Sequence, residues 1–161
     1  MNTERPSKLR RPRRLADFNY RGEYVYFVTI CTNWKQIIFT NLDIYNSNLA
    51  ILRDVAANQK MLLHAWCFMP DHLHLLNQGS YDSTSLIPFI KLFKQKSGYY
   101  YKKTNNNRLW QEGYYEYVLR KNEDIKEKVL YILQNPVRKG LVKRYSHYQY
   151  LGSDTFDIRL L

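Results

Sequence analysis

Two histidines, His72 and His74, stand one residue apart in an apolar segment of this 161-residue chain. On a β-strand, alternate side chains point to the same face, so both imidazoles project together while Leu73 points away. Two imidazoles within a few ångström of each other can bind a divalent metal ion. The same pattern fits two half-buried histidines that hydrogen-bond to backbone or water, so the pair alone leaves both interpretations open.

Tyr131 and Asn135, four residues apart, form a second pair of chemically useful side chains. At 100° per residue they lie about 40° apart on the polar face of a predicted helix, one turn from each other. A phenol can attack phosphorus, and an amide oxygen can bind a hard cation. The alternative is a surface tyrosine and an asparagine that ends the helix before Pro136. Two other pairs share this spacing: Tyr101 with Asn105, and Tyr145 with Gln149.

Four segments before residue 80 are predicted as the elements that position the histidines. Residues 24–31 are rich in β-branched and aromatic side chains, which is typical of a central strand. Apolar residues recur at helical spacing over residues 43–60. Residues 62–69 and 72–77 are apolar runs separated by a Pro-Asp step, which predicts an antiparallel pair joined by a tight turn.

The rest of the sheet is predicted from residues 86–120. An apolar stripe from Leu86 to Tyr100 predicts a helix that ends before a polar loop at residues 104–107. Residues 114–120 predict a fourth strand. The order strand, helix, strand, strand, helix, strand matches the ferredoxin-like split βαβ arrangement. We therefore expect an α+β fold with a four-stranded antiparallel sheet, helices on one face and one additional helix.

The additional helix carries Tyr131. Asn122 is expected to be its N-cap, with Glu123 and Asp124 in its first turn, and Pro136 ends it. Its apolar face consists of Ile125, Val129, Ile132 and Leu133. Of the three tyrosines followed by an amide at this spacing, only Tyr131 lies within a well-marked helix.

The composition limits the class of protein. Hydrophobic residues make up 45% of the chain, which excludes intrinsic disorder, and the length suits one domain with a sizeable core. The longest apolar run is too short to span a bilayer and no signal-peptide core is found, so a cytoplasmic protein without a membrane partner is expected. Cys31 and Cys67 lie in apolar runs without a CxxC pair, so we expect buried reduced thiols rather than zinc ligands.

The net charge of +11 indicates a polyanionic partner, although the same charge could serve solubility alone. Six cations lie within residues 1–14 against Glu4 alone, so residues 1–19 are expected to form a flexible basic arm for phosphates. Tyrosines interleaved with basic residues are suited to stacking on unpaired bases. The cations expected to contact DNA are Arg10, Arg11, Arg13, Arg14, Lys94, Lys102, Lys103, Arg120, Arg138 and Lys139.

Three segments together resemble the HUH single-tyrosine transposases, in particular the REP-associated tyrosine transposases. They are WCFMPDHLH at residues 66–74, WQEGY at residues 110–114 and YILQNPVRKGLV at residues 131–142. The resemblance covers about residues 20–142. It implies a catalytic domain over that range, between the arm and a C-terminal tail of residues 143–161.

The resemblance also implies roles for the two pairs of side chains. His72 and His74 correspond to paired metal ligands, and Tyr131 corresponds to the nucleophile. Asn135 stands where relatives place an amide that completes the site, some of them with the longer glutamine. The implied cofactor is Mg²⁺ or Mn²⁺, and the implied product is a 5′-phosphotyrosine beside a free 3′-hydroxyl. The implied partner is single-stranded or hairpin DNA at the nucleoid; related enzymes act as homodimers or as monomers, and both states stay open.

A different class of function also fits the predicted fold. A non-catalytic or domesticated nucleic-acid-binding protein of ferredoxin-like fold would share the basic charge and the aromatic strands. An RNA-recognition domain would need an RNP-type segment, which the chain lacks. A zinc deaminase would need an HxE followed by a CxxC, and neither is present.

Overall fold

The architecture is that of a computed structural model, which describes residues 17–121 and 123–161. The helices and strands, in chain order, are β1 (Val25–Cys31), α1 (Leu42–Asn58), β2 (Met61–Met69), β3 (His72–Gly79), α2 (Leu86–Asn105), β4 (Tyr115–Val118), α3 (Ile125–Leu133), α4 (Asn135–Arg138) and β5 (Leu151–Gly152). The four strands and three helices predicted from residues 24–136 are therefore confirmed, with ends that differ by a few residues.

The sheet is antiparallel throughout, with strand order β4-β1-β3-β2-β5. The prediction of four strands was wrong by one, because β5 adds an edge strand beside β2. β5 contains only Leu151 and Gly152, which is too short to give a periodic signal in the sequence. Gly152 allows its close approach: a Cβ at this position would lie 2.5 Å from Cζ2 of Trp66.

Each face of the sheet packs against a different layer. Tyr26, Val28 and Ile30 of β1 point into a core that α1 and α2 cover, which confirms the expected pair of helices on one face. Ala65 and Cys67 of β2 point to the opposite face, which α3 and the C-terminal residues cover. Because side chains alternate along a strand, the histidines of β3 lie on the same face as α3.

Two helix ends differ from the sequence prediction. α2 continues through Asn105 into the predicted loop and ends at Asn106, whose φ of 51° is the left-handed conformation of a helix C-cap. Tyr101, rather than Tyr100, completes the buried stripe of α2 because it lies one turn after the buried Ser97.

The start of α3 also differs. Asp124 is its N-cap, and the carboxylate accepts a hydrogen bond of 2.7 Å from the Lys126 N–H, so Asp124 is not in the first turn. Asn122, the expected N-cap, lies outside the described residues.

Residues 143–161, the expected C-terminal tail, pack against the sheet. The Phe68 N–H donates to the Tyr150 carbonyl at 2.8 Å, and the Asp154 N–H donates to the Leu63 carbonyl at 3.1 Å. Arg53 of α1 and Asp154 form an ion pair of 2.6 Å. The segment therefore covers the edge of β2.

The two cysteines are free and buried, as expected. Burial raises the pKa of the Cys67 thiol to about 12, which keeps it protonated and unreactive at neutral pH. Across residues 17–121 and 123–161, the helices are all too short or too polar to cross a membrane.

Candidate active site

His72 and His74 converge at the first residues of β3, directly after the turn at Pro70 and Asp71. Their Nε2 atoms are 3.0 Å apart, and their ring centroids are 4.5 Å apart at an interplanar angle of 80°. The strand alternation predicted from the sequence therefore brings both imidazoles to one point.

The other nitrogen of each ring is held by an oxygen. Nδ1 of His72 donates to Oδ1 of Asp71 at 2.6 Å, and Nδ1 of His74 is hydrogen-bonded to Oγ1 of Thr29 at 3.0 Å. Thr29 lies directly opposite His74 in the β1–β3 register. An oxygen partner on Nδ1 fixes each ring, as in the outer shell of most histidine metal sites, and a ring that is protonated at Nδ1 can offer the Nε2 lone pair to a cation.

The electrostatic environment keeps His74 neutral. Burial, the neighbouring His72 and the positive charge of Arg138 lower the pKa of His74 to about 3. A neutral imidazole is the form that binds metal ions. His74 is therefore ready to act as a ligand at neutral pH.

The two imidazoles are nitrogen donors of the kind that bind divalent cations. Without a metal, their Nε2 atoms are at a hydrogen-bond distance of 3.0 Å, so one of them carries a proton that a bound cation would displace. Residues 17–121 and 123–161 contain no group of three His, Cys, Asp or Glu side chains that could hold a metal. A complete shell therefore needs an amide, water or a substrate oxygen.

Tyr131 lies on the histidine face, where Phe27 of β1 connects its ring to the imidazoles. The Phe27 ring lies 5.5 Å from the His74 ring and makes an edge contact with the Tyr131 ring at 6.1 Å between centroids. Tyr131 is 53% exposed. Its phenol is therefore accessible to a substrate that also reaches the histidines.

Asn135 is placed differently from the sequence expectation. α3 ends at Leu133, so the polar face that carries Tyr131 does not continue to Asn135, which begins α4 and is only 8% exposed. Pro136 has no N–H for the Ile132 carbonyl, and Nδ2 of Asn135 donates to that carbonyl at 3.0 Å. The amide nitrogen therefore caps α3, which leaves Oδ1 as the atom able to bind a cation.

Arg138 contacts the nucleophile candidate directly. Its guanidinium carbon lies 4.1 Å from the centroid of the Tyr131 ring, and Nη2 donates to the Tyr131 carbonyl at 2.7 Å. The charges of Arg138 and Lys139 both lower the pKa of His74, so these two cations act on the site. The sequence predicted them only as phosphate contacts.

The remaining predicted cations lie elsewhere. Lys94, Lys102 and Lys103 belong to α2, on the opposite face of the sheet, and Nζ of Lys94 donates to the Gln111 and Gly113 carbonyls. Arg120 follows β4 at the end of the sheet away from His72. Four predicted cations lie outside the described residues: Arg10, Arg11, Arg13 and Arg14.

Sequence reasoning missed Thr29 and Phe27. Both lie in β1, and their importance depends on the register that sets Thr29 against His74 and Phe27 against Leu76. The only signal was the alternation of β1, which puts a hydroxyl and an aromatic ring on the same face. A register cannot be read from one strand alone, so these partners were not predictable.

Comparison with known proteins identifies a family for most of the chain. The model of the family described as Transposase IS200 like matches residues 21–135. The REP-associated tyrosine transposase of Escherichia coli (strain K12) is 26% identical over 133 residues, covering 80% of this chain and 74% of that protein. In a solved structure of a REP-associated tyrosine transposase bound to a REP hairpin, the matched chain is 21% identical, with a TM-score of 0.71. The match covers 83% of this chain and 79% of that chain, and it shows a common fold.

Proposed function

The chain belongs to the IS200-like transposase family, and we propose that it is a metal-dependent endonuclease and strand transferase acting on single-stranded hairpin DNA. The observation that carries the proposal is the convergence of the two Nε2 atoms, 3.0 Å apart, on the face that also bears Tyr131. Ligand nitrogens and a phenol nucleophile on one face are the parts that a phosphoryl transfer to tyrosine needs.

His72 and His74 would hold Mg²⁺ or Mn²⁺, with Oδ1 of Asn135 as a third protein ligand. When bound, such an ion makes the scissile phosphorus more electrophilic and neutralises charge on the phosphate oxygens. Thr29 and Asp71 hold the two imidazoles in the orientation that this requires.

Tyr131 supplies the nucleophile. Its hydroxyl oxygen attacks phosphorus in line, a bond forms between that oxygen and phosphorus, and the bond to the 3′-oxygen breaks. The phenol proton passes to solvent, and the departing 3′-oxygen takes up a proton. The products are a 5′-phosphotyrosine and a free 3′-hydroxyl. Attack by another 3′-hydroxyl reverses the step and joins strands without an external energy source.

The DNA partner follows from charge and from the relatives. A similar protein of known structure is a REP-associated tyrosine transposase bound to a REP hairpin, and we propose a hairpin with single-stranded flanks for this chain. Residues 1–14 would neutralise backbone phosphates through their six cations. This substrate implies that the protein works at the nucleoid in the cytoplasm.

A denaturing gel tests the proposal. Labelled hairpin DNA with single-stranded flanks is incubated with the protein and Mn²⁺, and we expect a band of denaturant-resistant adduct. The variant Tyr131→Phe should lose this band while still binding the hairpin, because only the hydroxyl is removed. The matched control Tyr99→Phe, at an exposed tyrosine of α2, should keep the band. An undiminished adduct with Tyr131→Phe would refute the proposal.

A further inference from the structure

The loop between β1 and α1, residues 32–41, exposes the indole of Trp34, and we call it the Trp34 loop. Trp34 is 71% exposed and Ile37 is equally exposed, whereas the other two tryptophans, Trp66 and Trp110, are 2% and 4% exposed. Large apolar side chains grouped on one exposed loop indicate a contact surface more strongly than isolated ones do.

The fold holds this loop next to the histidines. At its start the Thr32 N–H donates to the Asp71 carbonyl at 2.9 Å, and at its end the Ile38 N–H donates to the Pro70 carbonyl at 2.8 Å. Both anchors belong to the turn that immediately precedes His72. Trp34 has a φ of 56°, a left-handed conformation that a bulky residue seldom adopts. The anchors therefore maintain a strained turn that presents the indole to solvent at the active-site end of the sheet.

A basic groove adjoins the loop. It lies between α2 and residues 106–113, has a volume of about 770 Å³, and is joined to the loop where the Asn33 N–H donates to the Leu109 carbonyl at 2.8 Å. The charged side chains along the groove are Lys94, Lys102, Arg108 and Glu112. Three cations against one carboxylate make the groove attractive to phosphates.

We propose that the Trp34 loop and this groove bind unpaired nucleotides of the substrate strand, with one base stacked on the Trp34 indole and adjacent phosphates against Arg108 and Lys102. An aromatic platform beside a basic groove is the combination that single-strand-binding proteins use. Two features favour DNA over an apolar protein partner. The cations of the groove attract phosphates, and the exposed large apolar side chains of this loop are limited to Trp34 and Ile37. This inference rests on the proposed function and adds to it the site that holds the flanking strand.

Fluorescence of the full-length protein tests the stacking directly. Trp66 and Trp110 are buried, so iodide should quench mainly the emission of Trp34. A ten-nucleotide single strand without a hairpin should quench that emission, whereas an abasic strand of equal length, which keeps the phosphates but has no base to stack, should leave it unchanged. Unchanged emission at a strand concentration that saturates binding, as judged by anisotropy of a dye-labelled strand, would overturn the inference.

Variants give a second test. Trp34→Ala should weaken binding of the ten-nucleotide strand about tenfold, as expected when one stacked base loses its platform, while Trp34→Phe should stay within threefold of the wild type. Tyr81→Ala, at an exposed tyrosine in the β3–α2 loop, should bind as the wild type does. Binding by Trp34→Ala within twofold of the wild type would contradict the inference.

The two proposals fail in different ways. With saturating hairpin DNA, Trp34→Ala should still form the covalent adduct, because Tyr131 and the histidines are intact. Absence of any adduct with the wild type would count against the proposed function. The stacking site would still be supported if the normal strand, but not the abasic strand, quenched the emission of Trp34. Equal quenching by the normal and the abasic strand would count against the stacking site alone.

Discussion

The two imidazoles owe their orientation to the oxygens behind them. Thr29 holds Nδ1 of His74 at 3.0 Å, and Asp71 holds Nδ1 of His72 at 2.6 Å. Without such a partner a ring can rotate or change tautomer, which turns its Nε2 lone pair away from the shared point. The metal affinity of the pair is therefore expected to depend on Thr29 as well as on the histidines.

Replacing Thr29 with valine should weaken Mn²⁺ binding by about 10- to 100-fold, the usual effect of removing an outer-shell partner. The side chain keeps its shape, so the fold should persist. Isothermal titration of the full chain with Mn²⁺ measures the change. Thr155→Val is the matched control, because Thr155 makes the same kind of contact, at 2.8 Å, with His64 outside the site. Unchanged Mn²⁺ affinity in Thr29→Val would show that the hydroxyl does not orient His74.

Arg138 is expected to position the nucleophile. Its guanidinium stacks on the Tyr131 ring and bonds to the carbonyl of the same residue. Arg138→Ala should therefore slow adduct formation at saturating DNA about tenfold or more, and Arg138→Lys should restore little, because lysine lacks the planar fork that makes both contacts. Single-turnover kinetics measure the rate, with Lys139→Ala as the control for charge alone. An equal decrease in rate in Lys139→Ala and Arg138→Ala would assign the effect to charge rather than to position.

At the scale of elements, the end of α3 is determined by the residues after it. Pro136 removes a helical donor, and the Asn135 amide replaces it by donating to the Ile132 carbonyl at 3.0 Å and to the Tyr131 carbonyl at 3.3 Å. The residue proposed as a metal ligand is thus also a helix cap, and the two roles use different atoms of one side chain.

The substitution Asn135→Asp separates these roles. The carboxylate keeps an oxygen for the cation but cannot donate to the two carbonyls and places a negative charge beside them. We therefore expect the free energy of unfolding to fall by about 2 kcal/mol or more, with Mn²⁺ binding retained. Asn135→Ala should lower both the free energy of unfolding and the affinity for Mn²⁺. Urea unfolding and Mn²⁺ titration of the two variants measure the effects. Equal Mn²⁺ affinity in Asn135→Ala and the wild type would remove Asn135 from the ligand set.

The elements were largely predictable from the sequence because their signals are local. β1 is apolar and β-branched, and α2 repeats its apolar residues at helical spacing, so strand and helix periods identify them. β5 has two residues and no period, and its place depends on the close approach of Gly152 to the distant Trp66. The burial of Asn135 depends on where α3 stops, which the spacing of Tyr131 and Asn135 did not reveal.

At the scale of the whole molecule, the positive charge is divided between two regions. Residues 1–14 carry six cations and one glutamate, and the rest of the +11 lies in the remaining chain. The proposed catalytic groups all lie within the described residues. Changes in residues 1–14 are therefore expected to alter the affinity for hairpin DNA without altering the rate of adduct formation.

Deletion of residues 1–16 should weaken hairpin binding and flatten its salt dependence, by about 0.7 to 0.9 in the logarithmic slope for each phosphate that these residues no longer neutralise. The rate of adduct formation at saturating DNA should not change. Filter binding across a series of salt concentrations measures the slope, and a full-length variant with the six cations changed to glutamine controls for chain length. A slope equal to that of the wild type would place the phosphate contacts elsewhere.

The identity of the modified residue decides whether Tyr131 is the nucleophile of a metal-dependent transfer. The adduct formed with hairpin DNA and Mn²⁺ is digested with nuclease and protease, and the phosphorylated peptide is sequenced by mass spectrometry. We expect a nucleotide joined through its 5′-phosphate to the hydroxyl of Tyr131, and no adduct when His72 and His74 are changed to alanine. A nucleotide on any other tyrosine, or one joined through a 3′-phosphate, would contradict the proposed function.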